Sequence, residues 1–200
     1  MSIGFIGCGN MATAIIKGII KSKTVEESDI NVFDVYAPAV EKLAAEYKIN
    51  KCENECDVVS SSDTVILAVK PNVLPDVLSK INTTLEECDT LIISIAAGKS
   101  TEFIRGALSH NNRIIRVMPN INATVGEAMC AYTANADATE EDKQTAEAIF
   151  SGVGKVMYLD ESYFPLFGVI GGCGPAFAYM FIDALQSDST AIFLGRSGRN

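Results

Sequence analysis

The residues best suited to chemistry lie at the start of the chain, in a glycine-containing turn. Gly7, Gly9 and Ala12 form a G-x-G-x-x-A pattern that follows an apolar run and opens a helical one. In such a turn the first glycine permits a sharp bend, the second leaves room for phosphates, and the small third residue lets the helix approach the sheet. The helix N-terminus adds unpaired N–H groups and a partial positive charge.

This pattern predicts that residues 7–11 bind the pyrophosphate of a dinucleotide, and an ordinary glycine-rich strand–helix turn is the alternative. The residues assigned to that site are Gly7, Cys8, Gly9, Asn10 and Met11. Within the turn we expect Cys8 to serve as a small side chain, with a reactive thiolate as the less favoured interpretation.

Asp34 ends the second apolar run, at a position where a carboxylate can accept hydrogen bonds from the adenosine ribose. The same charge repels a 2′-phosphate, and no arginine occurs in residues 35–39 to bind one. Charge therefore favours NADH over NADPH as the cofactor. The alternative is that Asp34 merely caps the helix that begins near Pro38.

Three later strand ends carry further candidates. Lys70 precedes Pro71 and could contact phosphates or substrate, unless Pro71 simply ends the strand. The small side chains of residues 94–98 would let the backbone approach a flat nicotinamide ring, or would serve tight sheet–helix packing. Asn120 offers an amide near the same edge, whereas Arg116 lies inside an apolar strand and is expected to form a structural ion pair.

No other catalytic constellation is evident in the chain. It has a single histidine, His110, and six cysteines without C-x-x-C spacing, so we predict no metal site and reduced thiols. No Ser–His–Asp set stands out, and the catalytic residue is left unknown. Hydride transfer remains, since there the cofactor supplies the chemistry and the protein supplies position.

Strands and helices alternate along most of the chain, which predicts a doubly wound, Rossmann-type, mostly parallel α/β sheet. After the first strand, further strands are predicted at residues 30–33, 64–69, 90–95, 113–118, 127–133 and 154–159. Helices are predicted at residues 11–21, 38–47 and 73–81, from residue 100 with Ser100 as the N-cap, and at residues 139–150. Ligands on such sheets bind beyond the carboxyl ends of the strands.

The composition limits the possible partners and compartments. The chain has 200 residues, of which 48% are hydrophobic, and a formal net charge of −9. An acidic surface argues against nucleic acid and anionic membranes. No signal peptide and no uninterrupted apolar run of about 18 residues is evident. We therefore expect a cytoplasmic protein with a small-molecule substrate.

Taken together, the motifs resemble those of pyrroline-5-carboxylate reductases. Five segments carry the resemblance in family order: residues 4–11, 68–71, 94–98, 116–120 and 172–176. The resemblance implies that NADPH or NADH reduces the C=N bond of 1-pyrroline-5-carboxylate to L-proline. It also implies a homo-oligomer in the full-length family.

The resemblance further implies roles for individual residues. Residues implied to line the cofactor, besides those above, are Asn54 by the ribose, Ala68, Val69, Lys70, Pro71, Ala96, Ala97, Gly98 and Asn120. Residues implied to lie near the substrate are Met118, Pro119 and Gly174.

The C-terminal part departs from the family pattern. We predict a dinucleotide-binding domain over residues 1–160 and, over residues 161–200, the start of an α-helical dimerisation domain. Within it we expect a glycine-rich break at residues 171–174, an apolar helix at residues 176–185 with Pro175 at its first position, and a frayed polar tail from Gln186.

No Ser/Thr- and glycine-rich substrate loop of the family follows Leu185, so a shortened chain is expected. The alternative function is a non-catalytic dinucleotide-binding fragment or a regulatory paralogue. A β-hydroxyacid-type dehydrogenase needs a later catalytic lysine, and none follows Lys155.

Overall fold

The computed structural model describes the backbone of residues 1–196 and the side chains of residues 1–186. Its centre is one eight-stranded sheet. The strands are β1 (Ile3–Ile6), β2 (Ile30–Phe33), β3 (Asn50–Lys51), β4 (Thr64–Leu67), β5 (Leu91–Ser94), β6 (Ile114–Met118), β7 (Ala128–Ala134) and β8 (Gly154–Tyr158). The helices beside the sheet are α1 (Asn10–Ser22), α2 (Ala37–Tyr47), α3 (Glu55–Ser60), α4 (Leu74–Glu87), α5 (Thr101–Gly106) and α6 (Glu140–Ser151).

The strand order explains why the first turn lies at the centre of the protein. The order is β3-β2-β1-β4-β5-β6-β7-β8, and β1 to β6 are parallel. The chain builds outward from β1 in one direction and then starts again at β4 in the other. The gap between β1 and β4 is therefore the topological switch point, where ligands bind in this fold. β7 runs antiparallel to β6, and β8 runs parallel to β7, so six of the eight strands share one direction and the predicted doubly wound, mostly parallel sheet is confirmed.

The central strands are apolar on both sides because helices cover both faces of the sheet. All four residues of β1, β4 and β5 are buried. On one face, Ile15 and Ile16 of α1 pack with Phe150 of α6. On the other face, Val58 of α3 packs with Leu78 of α4. These two cores hold the central strands in place, and the carboxyl ends of those strands carry the candidate site.

The sequence missed one strand and misplaced several strand ends. β3 is only two residues long and both are exposed, so it has no apolar pattern to reveal it. β4 ends at Leu67 and β5 at Ser94, earlier than predicted, because the chain leaves the sheet at Ala68 and Ile95 to form turns. The N-cap predicted at Ser100 is confirmed, since its side chain accepts a hydrogen bond from the Phe103 N–H.

The expected glycine-rich break at residues 171–174 is wrong. The chain stays helical from α7 (Phe164–Phe167) through a π-helix (Gly168–Cys173) into α8 (Gly174–Arg196). The glycines allow close packing here: a Cβ on Gly168 would lie 2.9 Å from Met118 Cε, and one on Gly171 would lie 2.9 Å from the Phe167 ring. π-helical turns of this kind are frequent at functional sites.

The helix α8 also extends further than predicted. It continues to Arg196, so the tail is not frayed from Gln186 onward, and residues 197–200 lie outside the described part. The helical stretch Glu161–Gln186 contains an 18-residue segment with a mean hydropathy of 1.5 and, by length and composition alone, could cross a membrane. Glycines and prolines interrupt its apolar residues, so the sequence contains no continuous apolar run of that length there. The domain boundary at residue 160 stays a prediction.

Candidate functional site

The bend after β1 requires a backbone conformation that favours glycine. Gly7 has a φ of +103°, a region that side chains rarely allow. A Cβ on Gly7 would also lie 2.7 Å from the backbone oxygen of Ala68. The Gly7 N–H donates to the Phe33 carbonyl at 2.8 Å, and the Ala68 N–H donates to the Ile6 carbonyl at 2.9 Å. The turn is therefore tied to the ends of both β2 and β4.

The start of α1 is open to a ligand. Gly9 is its N-cap, with no side-chain hydrogen bond to the first turn, and a Cβ there would meet nothing within 4 Å. The first N–H groups of a helix have no partner inside the helix. Because Gly9 supplies no capping oxygen, these N–H groups and the positive end of the helix dipole remain available to an anion. Ala12 is buried, as close helix–sheet packing requires.

Asp34 lies beside the turn and holds it in place. One carboxylate oxygen accepts the Cys8 N–H at 2.7 Å, and the other accepts the Tyr36 N–H at 2.8 Å. The alternative that Asp34 caps α2 with its side chain is not what the structure shows, since the N-cap of α2 is Tyr36 and makes no side-chain cap bond. The sequence did not reveal this link between Asp34 and Cys8, because it joins residues 26 positions apart.

The Cys8 side chain is unreactive in this arrangement. It is buried, and burial, assisted by the negative charge of Asp34, raises its pKa to about 12. The nucleophilic form of a cysteine is the thiolate. Cys8 is therefore a neutral thiol near pH 7, which supports its interpretation as a small buried side chain in the turn.

The carboxyl ends of β4 and β5 lie at the same edge of the sheet as the turn after β1. After Ala68, the carbonyl of Lys70 accepts the N–H groups of Val73 and Leu74, so this residue starts the turn into α4, and its side chain is exposed. After β5, Gly98 has a φ of +72°, and a Cβ there would meet nothing within 4 Å. Gly98 thus leaves open space above the strand ends.

Asn54 lies three residues after the carboxyl end of the parallel edge strand β3. It is the N-cap of α3, and its side-chain oxygen accepts the Asp57 N–H at 3.0 Å. The structure gives it this local role. Its predicted contact with the cofactor ribose stays a prediction.

At the end of β6 the sheet meets the C-terminal helices. The Asn120 side chain donates to the carbonyl of Gly171 at 2.9 Å, and Met118 packs beside Gly168. Gly174 begins α8 at the end of the π-helix, one turn beyond Gly171. The structure thus brings together Met118, Asn120 and the glycine-rich segment.

A partly buried ion pair fixes the start of these helices. Arg116 of β6 bonds Glu161 at 2.9 Å and stacks on the Phe164 ring at 4.4 Å. Glu161 also accepts the N–H and hydroxyl of Thr101 at 2.9 and 2.7 Å. Burial alone would raise the pKa of Glu161, but the bonds from Thr101 and Arg116 outweigh it and hold the pKa below its ordinary value. The structural ion pair predicted for Arg116 is confirmed, although its partner was not foreseen.

A groove of about 610 Å³ opens beside the turn, between α1 and α2. Cys8, Asn10 and Tyr36 line its end nearest the turn, and Lys17 and Lys42 lie further along it. Within the described residues neither lysine has an ion-pair partner. Glu46 also lines the groove, which therefore holds two lysines and one carboxylate on a chain of net charge −9.

A glycine turn at the switch point, an uncapped helix N-terminus and a carboxylate at the end of β2 define a Rossmann-type dinucleotide-binding protein. Comparison with known proteins narrows this class. A family model described as "NADP oxidoreductase coenzyme F420-dependent" matches residues 2–98. The chain is 40% identical over 183 residues to pyrroline-5-carboxylate reductase of Methanosarcina acetivorans, which covers 92% of this chain and 67% of that protein. The chain belongs to the pyrroline-5-carboxylate reductase family.

Solved structures agree with this assignment. A pyrroline-5-carboxylate reductase from Coxiella burnetii superposes with a TM-score of 0.89 at 29% identity, over 95% of this chain and 70% of that one. Pyrroline carboxylate reductase of Plasmodium falciparum with NADP bound gives a TM-score of 0.85 at 26% identity, over 100% of this chain and 71% of that one. The resemblance found in the sequence motifs is thereby confirmed.

Proposed function

We propose that this chain reduces the C=N bond of 1-pyrroline-5-carboxylate to L-proline, with NADPH or NADH as the reductant. The observation that carries the proposal is the open turn at Gly9, which presents the free N–H groups of α1 at the switch point of the sheet. Membership of the reductase family gives the substrate, since its relatives are named for it.

The chain's own residues supply position and local charge. The backbone N–H groups of residues 9–11 bind the pyrophosphate, and they overcome the net charge of −9 because they act at contact distance. Ala68 to Pro71 and Ala96 to Gly98 line the middle of the cofactor. Met118, Pro119 and Gly174 face the substrate end.

The bound cofactor would supply the hydride, and the protein would hold the acceptor carbon beside it. A cyclic imine can arrive already protonated, and the resulting iminium is electrophilic without help from a strong acid. Proximity and electrostatics can then account for the rate. This agrees with the fact that we assign no catalytic acid or base to the chain.

The experiment is to follow NADPH or NADH oxidation with pyrroline-5-carboxylate, alongside nucleotide binding by calorimetry. If the chain is a reductase, the nucleotide is oxidised only when the imine is present. Binding without oxidation would instead identify a non-catalytic dinucleotide-binding protein. Gly9→Val is the matched variant, because it fills the space for phosphate while the Cβ meets no neighbour within 4 Å in the protein.

The choice between the two nucleotides depends on Asp34 and its surroundings. Its carboxylate favours NADH, and its bonds to Cys8 and Tyr36 leave lone pairs for ribose hydroxyls. Lys42, in the adjoining groove, is a cation that would favour NADPH. We expect Asp34→Ser to raise the affinity for NADPH relative to NADH. An unchanged ratio of the two dissociation constants would rule out Asp34 as the ribose contact.

The remaining proposals concern partners and location. We propose a cytoplasmic enzyme that forms a homo-oligomer through the helical part after residue 160. The Plasmodium structure matches this chain over its whole length, so the apolar helix Glu161–Gln186 has a counterpart in a reductase structure. That likeness favours packing against protein over crossing a membrane.

A further inference from the structure

The carboxylate of Glu161 joins three segments of the chain. Its Oε1 accepts the Thr101 N–H at 2.9 Å and an Arg116 N–H at 2.9 Å, and its Oε2 accepts the Thr101 hydroxyl at 2.7 Å. Glu161 lies three residues before α7, Thr101 begins α5 and Arg116 belongs to β6. The C-terminal helices are therefore attached to the start of α5 as well as to the sheet.

The two partners of Glu161 mark the two ends of the turn that follows β5. In the sheet, Arg116 is the partner of Ser94, the last residue of β5. Thr101 is the first residue of α5, on the other side of the turn. Residues 96–98, which the proposed function assigns to the cofactor, lie between them. A carboxylate that bonds both partners therefore holds the two ends of the turn in place.

A helix start can be completed without a distant segment, as α6 shows. There Asp142 accepts the N–H and the hydroxyl of Thr139 at 2.8 and 2.9 Å, and it also pairs with Arg113. The donors are the same as those on Glu161, but Asp142 is three residues from its threonine and Glu161 is 60 residues from its own. α5 already has Ser100 as its N-cap. The contact made by Glu161 thus adds a link between segments that capping alone does not need.

From this arrangement we infer that Glu161 is a positioning residue for the bound nucleotide. It holds the turn at residues 96–98 where the cofactor meets it, and it ties that turn to the C-terminal helices. Nucleotide binding and helix attachment then stabilise each other, because coupling between two sites is reciprocal. The inference rests on the proposed function, since it takes the dinucleotide as the ligand of the turn.

Asp142 provides a matched control, because its carboxylate binds the same donor groups at the other edge of the sheet. α6 follows β7, whose Ala134 pairs with Ile115 near the amino end of β6. The proposed nucleotide lies beyond the carboxyl ends of the parallel strands. Asp142→Asn therefore disturbs a similar set of bonds at the edge opposite the ligand.

The experiment measures NADH binding by calorimetry on full-chain variants, at a temperature where urea denaturation shows each variant to be folded. Glu161→Gln and Thr101→Val should each weaken binding about threefold to tenfold, the value of one hydrogen bond. Thr101→Ser keeps the hydroxyl and should keep the natural affinity. The double variant should bind no more weakly than Glu161→Gln, because both changes break one network. Asp142→Asn should lower stability and leave the affinity unchanged.

Two results would overturn the inference. Either Glu161→Gln binds NADH as tightly as the natural chain, or Asp142→Asn weakens binding as much as Glu161→Gln does, which would mean that affinity only follows stability. If the natural chain itself does not bind NADH, the proposed function fails and the inference fails with it.

The natural chain decides the question even if Glu161→Gln does not fold. The amides of Thr101 and Thr139 each donate to a carboxylate at a helix start. NADH should slow the hydrogen exchange of the Thr101 amide more than that of the Thr139 amide. Equal protection of the two amides would contradict the inference.

Discussion

The turn after β1 and the C-terminal helix α8 differ in how many contacts each makes with the rest of the described residues. In the turn, Gly7 and Cys8 each donate a backbone hydrogen bond to the end of β2, and Ala12 is buried. On α8, Phe177 is 69% and Met180 is 70% exposed. The turn is rigid and ready for a ligand, whereas α8 has few contacts with the rest of the described residues, among them the hydrogen bond between Tyr179 and Asn122.

The difference separates two kinds of site. A pyrophosphate is the same in every dinucleotide, so a preformed backbone cradle suits it. The substrate end needs side chains from distant segments. Among the described residues, Asn120, Met118 and the Arg116–Glu161 ion pair connect the helices to the sheet, and Tyr179 of α8 bonds Asn122 at 2.8 Å. The comparison can be tested by changing one region at a time and measuring stability and binding separately.

The largest effect is expected at Gly7. Gly7→Ala would force a side chain into a φ of +103° and place its Cβ 2.7 Å from the Ala68 backbone oxygen. We expect the free energy of unfolding to fall by about 2–5 kcal/mol, measured by urea denaturation. Gly9→Ala is the control: it should cost about 1 kcal/mol or less. Equal destabilisation by the two variants would show that the turn is not rigid at Gly7.

A smaller effect is expected at Asp34. Asp34→Ala removes the acceptor of the Cys8 and Tyr36 N–H groups, and the first of these is then left buried without a partner. We expect a loss of about 2–3 kcal/mol, with Asp34→Asn intermediate because it keeps one acceptor oxygen. The hydrogen-exchange rate of the Cys8 amide should rise as the stability of these variants falls. Unchanged exchange would show that Asp34 does not hold the turn.

The turn could be predicted from sequence because its signals are local. Gly7, Gly9 and Ala12 each meet a steric demand that their neighbours in the chain already define, and the alternation of strands and helices fixes the sheet around them. The link from Asp34 to Cys8 could not be predicted, because a carboxylate at a strand end has several possible partners.

The C-terminal region was harder to predict from sequence, because its structure depends on contacts that the local sequence does not define. Glycines such as those at residues 168, 171 and 172 disfavour a helix by about 1 kcal/mol each, and the helix that continues here packs closely against Met118 at Gly168 and against Phe167 at Gly171. Nothing near Arg116 in the sequence points to Glu161, 45 residues away. Contacts between distant segments, Met118 with Gly168 and Arg116 with Glu161, thus accompany the features that local sequence patterns did not predict.

The contacts of Glu161 with Arg116 and Thr101 test how firmly the C-terminal helices are attached to the sheet. Glu161→Gln should lower the free energy of unfolding by about 1–2 kcal/mol at pH 7, since the carboxylate accepts bonds from Thr101 and Arg116. Because its pKa is lowered in the folded protein, the stabilisation is complete above the ordinary glutamate pKa of about 4.3 and is lost as the pH falls through the lower folded value.

The difference between the natural chain and Glu161→Gln should therefore stay constant near neutral pH and shrink in acid. Urea denaturation across that pH range measures it. Glu41→Gln is the control, because Glu41 is exposed and forms no ion pair in the described part of the chain. A difference that grows in acid would contradict the role given to Glu161.

The smallest change in stability is expected at Gly168. This residue has ordinary helical angles, φ −59° and ψ −38°, so alanine fits the backbone and gains about 1 kcal/mol of helix propensity. Its Cβ would meet only Met118 Cε, the far end of a flexible side chain, at 2.9 Å. We expect the gain and the repacking cost to cancel within about 1 kcal/mol.

Function should nevertheless change in Gly168→Ala, because the displaced Met118 lies at the proposed substrate end. A raised KM for the imine with unchanged stability is the expected result, and Gly106→Ala, whose Cβ meets nothing within 4 Å, should change neither KM nor activity. A loss of stability as large as that of Gly7→Ala would mean that Met118 cannot yield. The contact between helix and sheet would then be as rigid as the turn, and the contrast between the two regions would fail.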